Sequence, residues 1–246
     1  MSLIKYQSKY SNLVVSGCSF TINESPDSHV AWANCLAVWA GMDINNLAVC
    51  GAGNQHIANS IILHLEKNKP DPTTTLVLAM WSGTARVDWI TDKKMRKDNR
   101  DWRYQYHYDK HNDLTTSMQT GDTRLKTAFE QYRVYQSKSS ETLNTWLAIT
   151  SLSNYLEQHG YTYYYTSYQD IFSSKRDNFS TMLDSIDLTL DMSHWLTTEH
   201  QEFLGEFAES RQLVGADNWH PTPVGHERWV NEILESKLTN KGILNG

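Results

Sequence analysis

Apolar residues along the chain fall into two alternating kinds of segment. Continuous apolar runs predict four buried strands, at "NLVVSG" (12–17), "INNLAVCG" (44–51), "TTLVLAMW" (74–81) and "YTYYYTSY" (161–168). Apolar residues at helical spacing predict helices at "HVAWANCLAVWAG" (29–41), "NQHIANSIILHLEKN" (54–68) and "SSETLNTWLAITSLSNYLEQHG" (139–160). This alternation favours a parallel sheet with crossover helices, so we expect a three-layer α/β/α fold with a flavodoxin-like parallel sheet.

The predicted helices carry recognisable end residues. Gly41 suits the carboxyl end of the first helix, because glycine readily adopts the left-handed conformation found there. Ser139 or Ser140 is the predicted cap of the long third helix. Near the end of the chain, Thr222 followed by Pro223 predicts the start of a last helix.

Residues 88–135 interrupt this alternation with a polar, aromatic stretch that has no clear periodicity. We interpret it as an insertion after the third strand, a lid or substrate-facing segment within one domain over residues 1–246. Residues 170–214 show no convincing fifth strand. The insertion contains several aromatic residues that either stack on sugar rings or pack on the sheet: Trp89, Trp102, Tyr104, Tyr106 and Tyr108.

Charge and cysteine content narrow the function classes. The formal net charge of −6 argues against a main partner among nucleic acids, although the run from Asp92 to Arg103 is locally basic. We favour a solvated loop for that run, with an anionic ligand or nucleic acid as the alternative. The cysteines (Cys18, Cys35 and Cys50) show neither a disulfide framework nor metal-ligand spacing, so we expect no metal, no cofactor and a reducing compartment.

The chain carries no apolar run of signal-peptide or membrane-spanning length. We therefore expect a cytoplasmic protein, or one otherwise made without a cleaved signal peptide, that has no membrane span.

The candidate chemistry lies in the loops that follow the predicted strands. Open α/β sheets bind ligands at the carboxyl ends of their strands, where this chain has "GCSFT", "CGAGNQ" and "MWSGTAR". In "DNWHP", before the last helix, Asp217 and His220 are spaced so that the carboxylate can orient the imidazole. The other ring nitrogen could then activate Ser19, with the backbone N–H groups of Ser19 and Gly51 meeting the oxyanion.

Two residues compete for these roles. Cys18 is a second potential nucleophile, but adjacent side chains at a strand end point to opposite sides, so only one of the two can face the base. His226 is a second potential base, whose position inside the first turns of the last helix favours packing or capping.

The ordered set of motifs resembles the SGNH, or GDSL-like, hydrolase family. Ser19 matches the nucleophile of its first block, Gly51 its second block, and Asp217 with His220 its last block. The chain departs from the family pattern twice, because Cys18 stands where the family has Asp and Ala85 where it has the oxyanion-hole Asn. Candidates to replace that Asn are Ser82, Thr84 and Asn54.

The resemblance implies a serine esterase that cleaves a small ester through an acyl-enzyme, with an O-acyl group on a carbohydrate as the favoured substrate. Arg86 and Trp81, at the end of the third strand, are the predicted substrate contacts, and a structural ion pair is the alternative for Arg86. A protein of another class, a binding module that kept the fold and lost efficient chemistry, is the second hypothesis. A nucleic-acid-associated protein using the basic run is a third.

Overall fold

A parallel sheet forms the centre of the computed structural model, which describes residues 4–22, 31–90, 105–108, 131, 137–172 and 190–245. The strands of the described residues are β1 (Gln7–Ser8), β2 (Asn12–Ser16), β3 (Asp43–Asn46), β4 (Thr75–Trp81), β5 (Val87–Ile90), β6 (Gln105–Tyr108), β7 (Thr162–Ser167) and β8 (Leu244–Asn245). The helices are α1 (Trp32–Ala40), α2 (Asn54–Asn68), α3 (Lys138–Gln158), α4 (Leu204–Ser210), α5 (Pro223–Trp229), a π-helical turn (Val230–Leu234) and α6 (Glu235–Asn240).

The central sheet has four parallel strands in the order β3-β2-β4-β7, flanked by helices. All seven residues of β4 are buried, as expected for a strand that is covered on both faces. The predicted flavodoxin-like α/β fold is confirmed. β1 and β8 pair as a separate two-stranded ribbon, and β5 pairs with β6 as an antiparallel hairpin.

The predicted helix ends are partly confirmed. Gly41 ends α1 with a φ of 66°, and Thr222 caps α5 by accepting a hydrogen bond from the Gly225 N–H at 3.1 Å. The predicted cap of the long helix is wrong, because α3 begins at Lys138 and the Ser137 hydroxyl accepts the Ser140 N–H at 3.2 Å.

The second predicted strand is shorter than its apolar run. β3 ends at Asn46, whose side chain donates to the Thr21 carbonyl at 2.9 Å and accepts the Ala48 N–H at 3.1 Å. Beyond Asn46 the backbone still follows the end of β2, because the Leu47 and Val49 N–H groups donate to the Val15 and Gly17 carbonyls at 2.8 and 3.2 Å. Residues 47–53, here called the second loop, connect β3 to α2.

The region in which the sequence predicted no fifth strand has two isolated bridges among its described residues, one of which is the antiparallel bridge between Val214 and Pro221. Trp195 forms an isolated parallel bridge with Tyr165, and the Leu196 N–H donates to the Tyr165 carbonyl at 2.8 Å. Of the predicted insertion, the described residues are 88–90, 105–108 and 131, and the basic run from Asp92 to Arg103 lies outside them.

Contacts between α1 and α5 place a late segment of the chain beside an early one. The rings of Trp32 and Trp229 meet edge to face at 5.6 Å, and Nδ1 of His226 accepts the Trp32 N–H at 3.3 Å. Because α1 follows the loop after β2, this packing places the segment before α5 next to that loop. Within the described part of the chain, no helix combines the length and apolar character needed to cross a membrane.

Candidate active site

A tight turn after β2 presents Ser19. The carbonyl of Cys18 accepts the N–H groups of Thr21 and Ile22 at 2.9 and 3.1 Å, which closes the turn. A side chain at Gly17 would lie 2.7 Å from Cβ of Thr21, so this position requires glycine. Cys18 is fully buried, whereas Ser19 is partly exposed. The turn thus directs the two adjacent side chains to different surroundings, as predicted.

A second turn, before α5, holds Asp217 and His220 together. One carboxylate oxygen of Asp217 accepts the N–H groups of Trp219 and His220, each at 3.0 Å. The other oxygen contacts Nδ1 of the His220 ring at 2.5 Å. Asn218 supports the turn with a φ of 56°, a left-handed conformation that asparagine adopts more readily than most residues. The imidazole is therefore fixed by its own local turn.

The two turns meet through one hydrogen bond. Nε2 of His220 lies 2.8 Å from the Ser19 hydroxyl oxygen, across a separation of 201 residues. A carboxylate can only accept, so Nδ1 donates to Asp217 and Nε2 is left to accept the Ser19 O–H. The structure thus brings together Ser19, His220 and Asp217 in the geometry of a nucleophile, a base and an orienting acid.

The surroundings of Asp217 stabilise the ionised form of its carboxyl. Partial burial raises the pKa of its carboxyl, but hydrogen bonds from the His220 ring and from the backbone N–H groups of Trp219 and His220 outweigh that effect and lower the pKa to about 2. The carboxyl is therefore ionised at any pH above about 4 and available to stabilise a protonated imidazole.

Aromatic rings pack around the His220 side chain. Phe20 lies 5.0 Å from the His220 ring and stacks on Tyr168 at 4.3 Å. Trp219 meets the Phe20 and Tyr168 rings edge-on at 6.1 and 6.3 Å, yet it is 46% exposed. The rings of Phe20 and Tyr168 are buried, so the edge of Trp219 is anchored while much of its surface faces solvent.

The second loop and the loop after β4 are locked together by Asn54. Its side-chain N–H groups donate to the Ser82 carbonyl and the Thr145 hydroxyl at 3.0 Å each, and its oxygen accepts the Ser82 N–H at 2.7 Å. Ser82 is fully buried. Asn54 and the Ser82 backbone thus hold the two loops together, and the Asn54 amide and the Ser82 N–H are bonded within the protein rather than left for an oxyanion. The Ser82 hydroxyl has no partner among the described residues, but it is buried.

Two backbone N–H groups near the Ser19 turn carry no such bond. Among the described residues, neither the Ser19 N–H nor the Gly51 N–H donates to a protein acceptor. Gly51 has a φ of 77°, a left-handed conformation that strongly favours glycine. The second loop can therefore offer a backbone donor at the position where the sequence predicted one.

The two predicted substrate contacts, Trp81 and Arg86, lie in different surroundings. Trp81 is fully buried and packs edge to face with Tyr165 at 5.3 Å, so it is a core residue, which differs from its predicted substrate contact. Arg86 donates to the Ala52 carbonyl at 3.4 Å and lies 5.3 Å from the Tyr168 ring. Its binding of substrate stays a prediction. Ala85, in the same loop, has no side-chain donor.

His226 lies behind the site as a buried histidine. Burial, with a smaller contribution from His220, lowers its pKa from 6.5 to about 4, so the ring is neutral at physiological pH. Its Nδ1 is engaged with the Trp32 N–H, which supports the predicted packing role. Among the described residues, no group of three or more His, Cys, Asp or Glu side chains could hold a metal ion.

Sequence reasoning missed residues that shape the site from a distance. The Asp88 carboxylate, on β5, accepts the Gly53 N–H at 2.8 Å and the His56 N–H at 2.7 Å. Tyr168, at the end of β7, supplies the ring against which Phe20 stacks. Neither residue belongs to a motif. Only their proximity to strand ends, a weak signal, could have identified them.

Comparisons with known proteins agree with this architecture. A family model described as "Family of unknown function (DUF6071)" matches residues 19–245. No curated protein sequence is significantly similar to the chain. Among solved structures, the psychrotrophic esterase EstA from Pseudoalteromonas sp., in a structure inhibited by monoethylphosphonate, is 12% identical with a TM-score of 0.50, over 94% of this chain and 100% of that one.

A member of the lipolytic protein G-D-S-L family from Veillonella parvula is likewise 12% identical, with a TM-score of 0.49 over 91% of this chain and 96% of that one. The structural neighbours are thus esterases and lipolytic G-D-S-L proteins. At this level of identity, the likeness to EstA shows a shared fold and nothing about the reaction.

Proposed function

This chain belongs to the DUF6071 family, and we propose that it is a serine esterase that cleaves a small ester through an acyl-enzyme on Ser19. The observation that carries the proposal is the pair of contacts made by His220, whose Nε2 lies 2.8 Å from the Ser19 hydroxyl oxygen while Nδ1 contacts Asp217. A fold of the kind found in esterases supports it.

In the acylation step, the Ser19 oxygen attacks the ester carbonyl carbon and its proton moves to Nε2 of His220. A tetrahedral intermediate forms, and its negative oxygen is balanced by the imidazolium, which Asp217 stabilises. The carbon–oxygen bond to the alcohol then breaks. His220 gives its proton to the departing alcohol, and the acyl group remains on Ser19.

In the deacylation step, water takes the place of the alcohol. His220 accepts a proton from the water, whose oxygen attacks the acyl carbon, and then returns that proton to the Ser19 oxygen as the carboxylic acid leaves. The aromatic packing of Phe20 against His220 limits rotation of the imidazole between these transfers. One fixed ring can therefore serve both steps.

The oxyanion is held by the backbone N–H groups of Ser19 and Gly51 in this proposal. The loop after β4 supplies no side-chain donor at Ala85, and the amide of Asn54 is already bonded within the protein. Loss of one oxyanion donor costs about a hundred- to a thousandfold in turnover. We therefore expect a slow enzyme.

For the substrate we favour an O-acyl group on a carbohydrate or a similar polar molecule. The partly exposed Trp219 lies next to His220, where the leaving alcohol of a bound ester would be. A tryptophan face packs well against the apolar face of a ring. Residues 88–135, in the same single domain, would form the segment facing the substrate, with Arg86 at its start.

The test is covalent labelling of Ser19. A fluorophosphonate probe should add to the peptide that contains Ser19, and p-nitrophenyl acetate should be hydrolysed by the unmodified protein and by Cys18→Ala, but not by Ser19→Ala above background. Mass spectrometry locates the adduct. An unlabelled Ser19, together with turnover no higher than that of Ser19→Ala, would exclude the esterase.

The second candidate is a binding module of the same fold that has lost efficient chemistry. The alanine at position 85 favours it, because that position supplies an oxyanion donor in the hydrolases that the sequence resembles. Such a module would give no label on Ser19 while still binding an ester or its hydrolysed products. Calorimetric titration with acetylated and deacetylated sugars separates this case from a protein that neither binds nor reacts.

A further inference from the structure

Asp88, on β5, contacts the junction between the second loop and α2. The carboxylate of Asp88 accepts the Gly53 N–H at 2.8 Å with one oxygen and the His56 N–H at 2.7 Å with the other. These N–H groups belong to the start of α2, where backbone donors lack partners within the helix. Both oxygens of one side chain thus fix the point at which the second loop becomes a helix.

Gly53 is fitted to this carboxylate. A Cβ atom at Gly53 would lie 2.7 Å from one Asp88 oxygen and 2.9 Å from its carboxyl carbon, closer than such atoms approach in real proteins. The backbone of Gly53 has a φ of −89°, which any residue can adopt, so conformational freedom does not explain the glycine. The glycine is explained by the Asp88 carboxylate, which occupies the space that a side chain at position 53 would need.

A second contact comes from the same short segment. Arg86 donates to the carbonyl of Ala52, the residue before Gly53, at 3.4 Å. Together with the Asn54 bonds to Ser82, three consecutive residues that follow Gly51 are each held by the chain that follows β4. Gly51 itself is the residue whose N–H has no protein acceptor among the described residues.

We propose that Asp88 is a positioning residue, which holds the second loop so that the Gly51 N–H points at the oxyanion. The inference rests on the proposed esterase activity. The inference also assigns a role to the segment after β4, which has an alanine at position 85 in place of the asparagine. That segment supplies no side-chain donor at Ala85, but it holds the second loop, whose Gly51 N–H is the proposed donor. The Asp88 carboxylate accepts backbone N–H groups at the start of α2, so the helix end does not offer these groups to the oxyanion. In this proposal the oxyanion therefore depends on the Gly51 N–H.

The test is a double-mutant cycle on p-nitrophenyl acetate hydrolysis. Asp88→Ala should lower kcat by about a hundredfold, the cost of a small misplacement of a catalytic group, with KM changed less than threefold. Gly53→Ala should lower kcat in the same way, because its methyl group displaces the carboxylate. The double variant should be no slower than Asp88→Ala alone, since the atom that the methyl group meets is gone.

Asp71→Ala is the matched control. Asp71 also accepts a backbone N–H, that of Thr73 at 2.8 Å, but in a turn that precedes β4, at the other end of that strand. Thermal melts establish that each variant is folded at the assay temperature. In parallel, hydrogen exchange over residues 49–57 should be faster in Asp88→Ala than in Asp71→Ala.

The inference would be overturned by a kcat for Asp88→Ala equal to that of Asp71→Ala, or by unchanged exchange over residues 49–57. Multiplicative losses in the double variant would also contradict it, because they would show that Gly53 and Asp88 act separately. If the unmodified protein neither hydrolyses the ester nor labels on Ser19, the proposed function fails instead. The exchange measurement then still reports whether Asp88 holds the loop.

Discussion

The two halves of the site are built in opposite ways. In the half that we propose to react, here called the reacting half, the side chains of Asp217 and His220 are 50% and 39% exposed, and they are joined within one turn, three positions apart. In the supporting half, Asn54 is 3% exposed, and its bonds reach across 28 residues to Ser82 and 91 residues to Thr145. The proposed chemistry is thus carried by short, exposed turns, whereas the loops around it are held by buried long-range hydrogen bonds.

This difference predicts separable effects of mutation. Exposed hydrogen bonds between nearby residues contribute little to the free energy of unfolding, whereas buried polar groups that lose their partners are costly. Substitutions in the reacting half should therefore lower activity and leave stability nearly unchanged. Substitutions in the supporting half should lower stability first.

The largest effect is expected for Asp217→Asn. The asparagine can no longer select the required imidazole tautomer, so kcat should fall by about a thousand- to ten-thousandfold. The melting temperature should stay within a few degrees, because the side chain is half exposed. Asp191→Asn, which alters another exposed aspartate that accepts a backbone N–H, is the control. A loss of activity below tenfold would show that Asp217 does not orient the base.

Asn54→Ala probes the supporting half. It leaves the buried N–H and carbonyl of Ser82 without partners, so the free energy of unfolding should fall by about 4 kcal/mol. Denaturant unfolding measures this, with Asn59→Ala on the more exposed side of the same helix as the control. Equal losses in the two variants would mean that the buried bonds add no stability.

His226→Asn tests the buried histidine of α5. The folded protein takes up a proton on His226 only near pH 4, but the unfolded chain does so near 6.5. The stability from the neutral ring is fully present above pH 6.5 and lost as the pH falls toward 4, by about 3 kcal/mol.

The asparagine retains an acceptor for the Trp32 N–H and does not titrate. Unfolding measured between pH 4 and 7 should therefore depend less on pH in His226→Asn than in the parent protein or in His159→Asn, a histidine on a more exposed helix end. Identical pH profiles for all three proteins would show that folding does not change the pKa of His226.

The smallest effect is expected for Trp219→Ala. Loss of the exposed ring should raise KM for a ring-bearing ester by about five- to tenfold, the value of one aromatic contact, and leave kcat nearly unchanged. Leu147→Ala, at another exposed apolar side chain, should change neither constant. An unchanged KM for acetylated sugars in Trp219→Ala would place the leaving group elsewhere.

The fold could be predicted from the chain because its elements follow local patterns. The apolar runs of β2, β4 and β7 and the end residues Gly41 and Thr222 act within a few positions. The end of β3 was missed because the apolar run continues past Asn46, where only the N–H groups of Leu47 and Val49 still bond to the chain at the end of β2. The cap of α3 was misplaced by two to three residues, since several serines stand in a row there.

The same distinction applies to the site. The spacing of Asp217 and His220 records their contact directly, and the strand end locates Ser19. Asn54, Ser82 and Trp81 were assigned to ligand contacts by position alone, and their burial, which depends on the whole fold, makes them structural. Asp88 escaped notice because its partners lie more than 30 residues away.

The hydrogen bond between Ser19 and His220 spans 201 residues, nearly the whole chain, and this has a consequence for biosynthesis. During translation, the proposed nucleophile is made 201 residues before its proposed base. Ser19 therefore remains an ordinary hydroxyl until α5 docks on α1. Labelling of Ser19 would accordingly report completion of folding, and a chain released before His220 would be inert toward esters in the cell.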